Sequence, residues 1–213
     1  MAEIEIDADA VQWSAPERER AGRPLLVLLH GIGSHEGDLF GLSPHLPLDP
    51  VIASLRAPLH EGNGYAWFER GGAAEAASRI AQADAAARGI LRWLDTTDAT
   101  STGLLGFSQG GAMALQLMRL APERFAYAVQ LSGFVLGPTH AGDAALAARR
   151  PPVFWGRGTA DPVIPAELIA VTSAWLPAHT TATERIYEDL AHAVSARELG
   201  DINDFIRAQL SAA

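Results

Sequence analysis

Residues 106–110 read Gly-Phe-Ser-Gln-Gly and lie between two apolar stretches, Gly103 to Phe107 and Gln109 to Leu120. Glycine two residues on either side of a serine is what a tight strand-to-helix turn demands, because bulk at either place would run into the turn. The pattern predicts a strand over 103–107 and a helix over 109–120, ended by Pro122, with the Ser108 hydroxyl lifted clear at the strand end. A turn of this kind needs a buried sheet beneath it and helices packed on that sheet.

The rest of the chain supplies both. Pro24 to Leu29 holds a continuous apolar run, the signature of a parallel strand buried on both faces. Further strands are predicted at Val51 to Ala57, Phe125 to Leu131, from Val153 to Trp155 and on toward Gly158, and at Glu184 to Tyr187. One or two edge strands are expected in the alternating stretch from Glu3 through Trp13. Helices are expected over Ala73 to Leu94 and Ala196 to Leu210, with apolar positions at helical spacing, and from Pro165, well placed as a first helical residue, to Trp175. Residues 31–50 and 58–72 read as loops. Alternating strands and helices give an α/β chain with a mostly parallel sheet of about six to eight strands, covered on both faces, in one domain over 1–213 with little or no cap.

Composition removes whole classes of chemistry. The 213 residues contain no cysteine, which excludes disulfides, thiolate metal sites and a Cys nucleophile. All sixteen basic residues are Arg, so a Schiff-base lysine and a P-loop lysine are excluded as well. A net charge of −9 and the lack of an Arg cluster beyond Arg149-Arg150 speak against nucleic acid as a partner. The N-terminus has no signal-peptide pattern and the apolar runs are short, so a cytoplasmic location without membrane insertion is expected. Asp7-Ala-Asp9 and His35-Glu36-Gly37-Asp38 lack metal-site spacing and read as polar turns. Gly31-Ile32-Gly33 lacks the full dinucleotide fingerprint. Neither a metal nor a cofactor is called for.

A serine hydroxyl attacks well only when a base takes its proton. Of the seven histidines, His192 lies between the last predicted strand and the terminal helix. His179, after Pro177, reads as a loop residue, and His30 as a hydrogen-bonding residue of its own loop. Asp161, in Gly158-Thr159-Ala160-Asp161-Pro162, follows a strand and is placed to orient the base. Asp143 has no strand before it, and Asp189 sits too close to His192 in sequence. The order Ser108, Asp161, His192 is the nucleophile–acid–base order expected for this kind of turn. The bland readings are a phosphate-binding serine, an Asx turn at Asp161 and a helix-capping His192. Negative charge developing on a substrate oxygen would need backbone N–H donors. Gln109, just after Ser108, and Ile32, in the glycine-rich loop after the first buried strand, are the two candidates.

With these residues in place the chain resembles the carboxylesterase/phospholipase family of α/β-hydrolases, which includes acyl-protein thioesterases. The likeness covers nearly the whole length. It rests on Leu28-Leu-His-Gly-Ile-Gly33, Tyr65-Ala-Trp-Phe68, the segments 106–115 and 158–165, and residues 191–206 around His192. The resemblance implies Ser108, Asp161 and His192 as a triad and Ile32 and Gln109 as amide donors. It departs from the family pattern at Arg157, where His is common, at Ala191, where Gly is common, and at Glu69, where Asp is common.

The expected activity is hydrolysis of short- to medium-chain carboxylic esters through an acyl-enzyme. The alternatives are an acyl-protein thioesterase or lysophospholipase, and a catalytically idle binding protein of the same fold. Apolar side chains in loops near the strand ends, namely Leu39, Phe40, Leu42, Leu46, Trp67, Phe68, Phe134 and Val163, are candidates for an open acyl groove. Exposed aromatics among them would also offer a homodimer contact.

Overall fold

The computed structural model describes residues 3–71, 75–137 and 139–211. Its main sheet has seven strands in the order β1 (Gln12–Trp13), β3 (Val51–Leu55), β2 (Leu25–Leu29), β6 (Thr102–Phe107), β7 (Tyr127–Leu131), β8 (Pro152–Gly158) and β9 (Thr181–Tyr187). Only β1 is antiparallel; each of the other neighbouring pairs is parallel. The mostly parallel α/β architecture expected from the sequence is what the chain adopts.

The central strands are buried on both faces, which is why they read as unbroken apolar runs. Leu25, Val27 and Leu29 face one core together with Ala87, Ile90, Met113 and Leu117. Leu26 and Leu28 face the other, with Ile52, Leu105, Ile202 and Ile206. Helices α2 (Ala76–Leu94) and α3 (Gln109–Leu120) contribute to the first layer. The second receives α6 (Ala196–Ser211) and the short α1 (Glu36–Phe40). The predicted start of α2 at Ala73 lies outside the described residues.

Several elements differ from expectation. The stretch Glu3 to Asp7 is not a strand; Asp7 instead accepts from the Asp9 N–H and caps a single 3-10 turn. The supposed loop at 58–72 contains a hairpin of β4 (Leu59–Glu61) and β5 (Gly64–Ala66). Helix α4 (Asp143–Arg149) is an element for which no helix was expected. Helix α5 (Ala166–His179) begins after Pro165, which is its cap rather than its first residue, and continues through Pro177. Pro177 has no N–H to donate to the Ser173 carbonyl, so one helical bond is lost, three residues before the C-cap Thr180.

Candidate active site

Four segments at the carboxyl ends of β2, β6, β8 and β9 converge. The turn after β6 is strained as its sequence requires: Ser108 has φ 55° and ψ −116°. A Cβ on Gly106 would overlap the Gly110 carbonyl, and one on Gly110 would overlap the Leu29 carbonyl. The two glycines therefore let strand, turn and helix close on one another. Ser108 is anchored by its N–H, which donates to the Leu131 carbonyl at 2.8 Å.

Asp161 and His192 meet as their spacing predicted. His192 Nδ1 lies 2.7 Å from Asp161 Oδ2. The other oxygen, Oδ1, accepts the Val163 N–H at 2.8 Å and the Ile164 N–H at 3.2 Å. Burial pushes the Asp161 carboxyl up, but the bonds from His192, Val163 and Ile164 outweigh it and hold the group below its ordinary value. The carboxylate therefore accepts, Nδ1–H donates, and Nε2 is left as the free acceptor. The imidazole rests on Phe107, the residue before Ser108, with ring centroids 4.8 Å apart. No hydrogen bond joins Ser108 Oγ to His192 among the described residues; such bonds commonly tighten only with substrate bound.

The loop after β2 approaches the turn from the other side. A Cβ on Gly31 would lie 3.5 Å from Ser108 Cβ and 3.3 Å from the Phe107 ring. The Gly33 N–H donates to the Tyr65 carbonyl and the Tyr65 N–H to the Ser34 carbonyl, each at 2.8 Å. The hairpin missed in the sequence thus splints this loop, and Gly64 permits it, since a Cβ there would overlap the Gly33 carbonyl. Among the described residues neither the Ile32 N–H nor the Gln109 N–H has a backbone partner, and the Gly110 and Gly111 N–H groups in the first turn of α3 are open as well. His30 is fully buried. Its Nε2 accepts the Ala57 N–H at 3.1 Å, so the proton is on Nδ1, which donates to the Gly31 carbonyl at 2.7 Å. Burial lowers its pKa, consistent with a neutral ring that holds the loop.

The groove expected from apolar loop side chains needs correction. Trp67, Phe68, Leu39 and Leu46 are buried in the two cores and present no surface to a ligand. Phe40, Leu42 and Phe134 are partly buried against those cores. Only Val163, 54% exposed and next to the Asp161 turn, stands free. Apolar loop residues were spent on anchoring. A cavity of about 10 Å³ between Ser132, Trp155, Arg157, Asp161 and Ile164 has room for roughly one water. A larger one of about 380 Å³, lined by Trp13, Arg20 and Trp93, lies where β2 and β3 begin, at the opposite edge of the sheet.

Comparison with known proteins bears on the fold and the family. A model of the phospholipase/carboxylesterase family matches residues 14–210. Esterase YpfH of Escherichia coli is 27% identical over 201 residues, covering 89% of this chain and 84% of that protein. The crystal structure of esterase PE8 superposes with a TM-score of 0.75 at 26% identity, covering 96% of this chain and 99% of that one. Acyl-protein thioesterase 2 of Zea mays shares the fold, with a TM-score of 0.77 at 22% identity over 94% of this chain and 98% of its own. With the family pattern spanning nearly all of its length and this sheet beneath it, the chain belongs to the phospholipase/carboxylesterase family of α/β-hydrolases and is an esterase or thioesterase of that fold.

Proposed function

We propose that this chain is a serine carboxylesterase acting on short- to medium-chain esters. The observation that carries the reading is the 2.7 Å bond from His192 to Asp161, made while the same imidazole lies tilted against Phe107, the residue before Ser108. Ser108 Oγ bonds to the carbonyl carbon as His192 Nε2 takes its proton. The oxygen, now negative, is held by the Ile32 and Gln109 N–H groups. Collapse breaks the carbon–alkoxide bond, and the imidazolium gives its proton to the departing alcohol. Water then attacks the acyl-serine with His192 as base, and proton return to Oγ releases the acid. The preference for small esters is supported by the burial of Trp67, Phe68, Leu39 and Leu46, apolar side chains that would have lined a deep channel.

Ser108→Ala tests this. Hydrolysis of p-nitrophenyl butyrate should fall by at least about 10³-fold while the far-UV circular dichroism stays the same. Full activity in that variant refutes the assignment. A panel of p-nitrophenyl esters from acetate to palmitate, a lysophospholipid and an acylated peptide separates the ester reading from the thioesterase and lysophospholipase readings. The highest kcat/KM is expected on acetate to butyrate.

A further inference from the structure

The two amide donors sit on different segments, and something must fix the distance between them. Three hydrogen bonds, all among buried groups, span the gap. The Trp67 N–H donates to Gln109 Oε1 at 2.8 Å. Gln109 Nε2 donates to the Phe68 carbonyl at 2.6 Å. Trp67 Nε1 donates to the His30 carbonyl at 2.9 Å. The indole also lies against the His30 ring, with centroids 5.5 Å apart. A continuous path therefore runs from the residue that offers one amide, through its own side chain to the backbone at 67–68, and through the indole to the peptide two residues before the other amide.

We propose that Trp67 is a positioning residue, a strut that sets the spacing of the Ile32 and Gln109 donors; this rests on the serine esterase reading above. The role follows from where its polar groups go. A core tryptophan needs only volume, and an indole N–H can be satisfied by any nearby carbonyl. Here both N–H groups of one residue are divided between the two halves of the same donor pair. Gln109 adds specificity: its amide makes a two-point clamp on adjacent residues, so the clamp fixes direction as well as distance. His30 completes the far anchor, because its Nδ1–H holds the Gly31 carbonyl while its Nε2 is tied to Ala57 beyond β3. A displacement of the donor pair by a fraction of an ångström weakens contacts that matter only once negative charge has formed. Substrate binding depends little on those contacts.

Trp67→Phe keeps most of the buried volume and removes the indole donor. The expected result is a fall in kcat of about 10- to 100-fold with KM changed less than about twofold. The same loss should appear in the affinity for a trifluoromethyl ketone, whose hemiketal oxyanion would occupy the donor pair. Affinity for a ground-state competitor, the non-hydrolysable ketone isostere of the substrate, should not change. A purely structural role would lower Tm and spare the ratio of the two affinities. Gln109→Met, close in volume but unable to make the clamp, should give the same split, and the double variant should lose less than the product of the singles. If Trp67→Phe does not fold, Gln109→Met alone carries the test. An unchanged kcat, or a loss shared equally by both inhibitors, overturns the strut. Ser108→Ala assayed alongside keeps the two claims separate: if it is inactive while both strut variants are normal, only the strut fails.

Discussion

Asp161 uses its two oxygens for different tasks, and this makes one substitution unusually informative. Oδ1 is tied to the Val163 and Ile164 N–H groups, and Oδ2 faces His192. In Asp161→Asn the amide oxygen would keep the two backbone donors, which turns the NH2 toward Nδ1–H. Donor then faces donor, and the imidazole must move its proton to Nε2, where it can no longer take one from Ser108. A kcat loss of about 10³- to 10⁴-fold on p-nitrophenyl butyrate is expected with little change in Tm; retained kcat would contradict the pairing. The turn serine and the acid were legible because each follows an apolar strand in a glycine-containing turn, where local sequence has few solutions; His192 follows a polar edge strand and was picked out by its place between the last strand and the terminal helix. Trp67 was not legible as a strut. An aromatic in a loop reads equally as pocket wall or core, and only its hydrogen-bond partners, 37 and 42 residues distant in sequence, decide.

Helix α4 shows how a tertiary contact creates an element that periodicity does not announce. Arg119 of α3 is fully buried, and its Nε and NH2 groups grip the two Asp143 oxygens at 2.7 and 2.9 Å. It also donates to the Leu136 carbonyl and lies over the Trp175 ring of α5. Asp143 thus opens α4 by neutralising a cation from another helix. Asp143→Ala would leave that guanidinium buried and unpaired, at a cost of about 3–5 kcal/mol. Urea unfolding monitored by tryptophan fluorescence should show the loss; an unchanged midpoint would mean the pair contributes nothing net. By contrast α3 has the bounds read from sequence and β2 starts one residue later than read, because nearly continuous apolar runs end at sharp stops. Strand β9 begins at Thr181, earlier than expected, since an exposed edge strand can be polar and carries little pattern.

Across the whole molecule, one buried acid links stability to pH. Ser195-Ala-Arg-Glu198 has the spacing of a capping box, and Ser195 Oγ does accept the Glu198 N–H. The Glu198 side chain does not reciprocate. It points under β8 against Gly156, where a Cβ would overlap it, and both its oxygens lack a partner. Burial first, and then the charge of Asp201, raise its pKa to about 7. The folded form therefore keeps a proton that the unfolded chain gives up near its ordinary value of 4.5. Its contribution is fully present below that value, is lost as pH rises toward 7, and is absent above, a swing of about 3 kcal/mol. Glu198→Gln should flatten the difference between urea unfolding curves taken at about pH 5 and about pH 8; an equally steep difference in the variant would place the titration elsewhere. The sheet order also has a consequence in time. Strand β6 with its serine lies at the centre, while the acid and the imidazole arrive on the last third of the polypeptide. A nascent chain still threaded through the ribosome holds an unassisted hydroxyl, and two complementary fragments split before β8 would gain turnover only on reassembly.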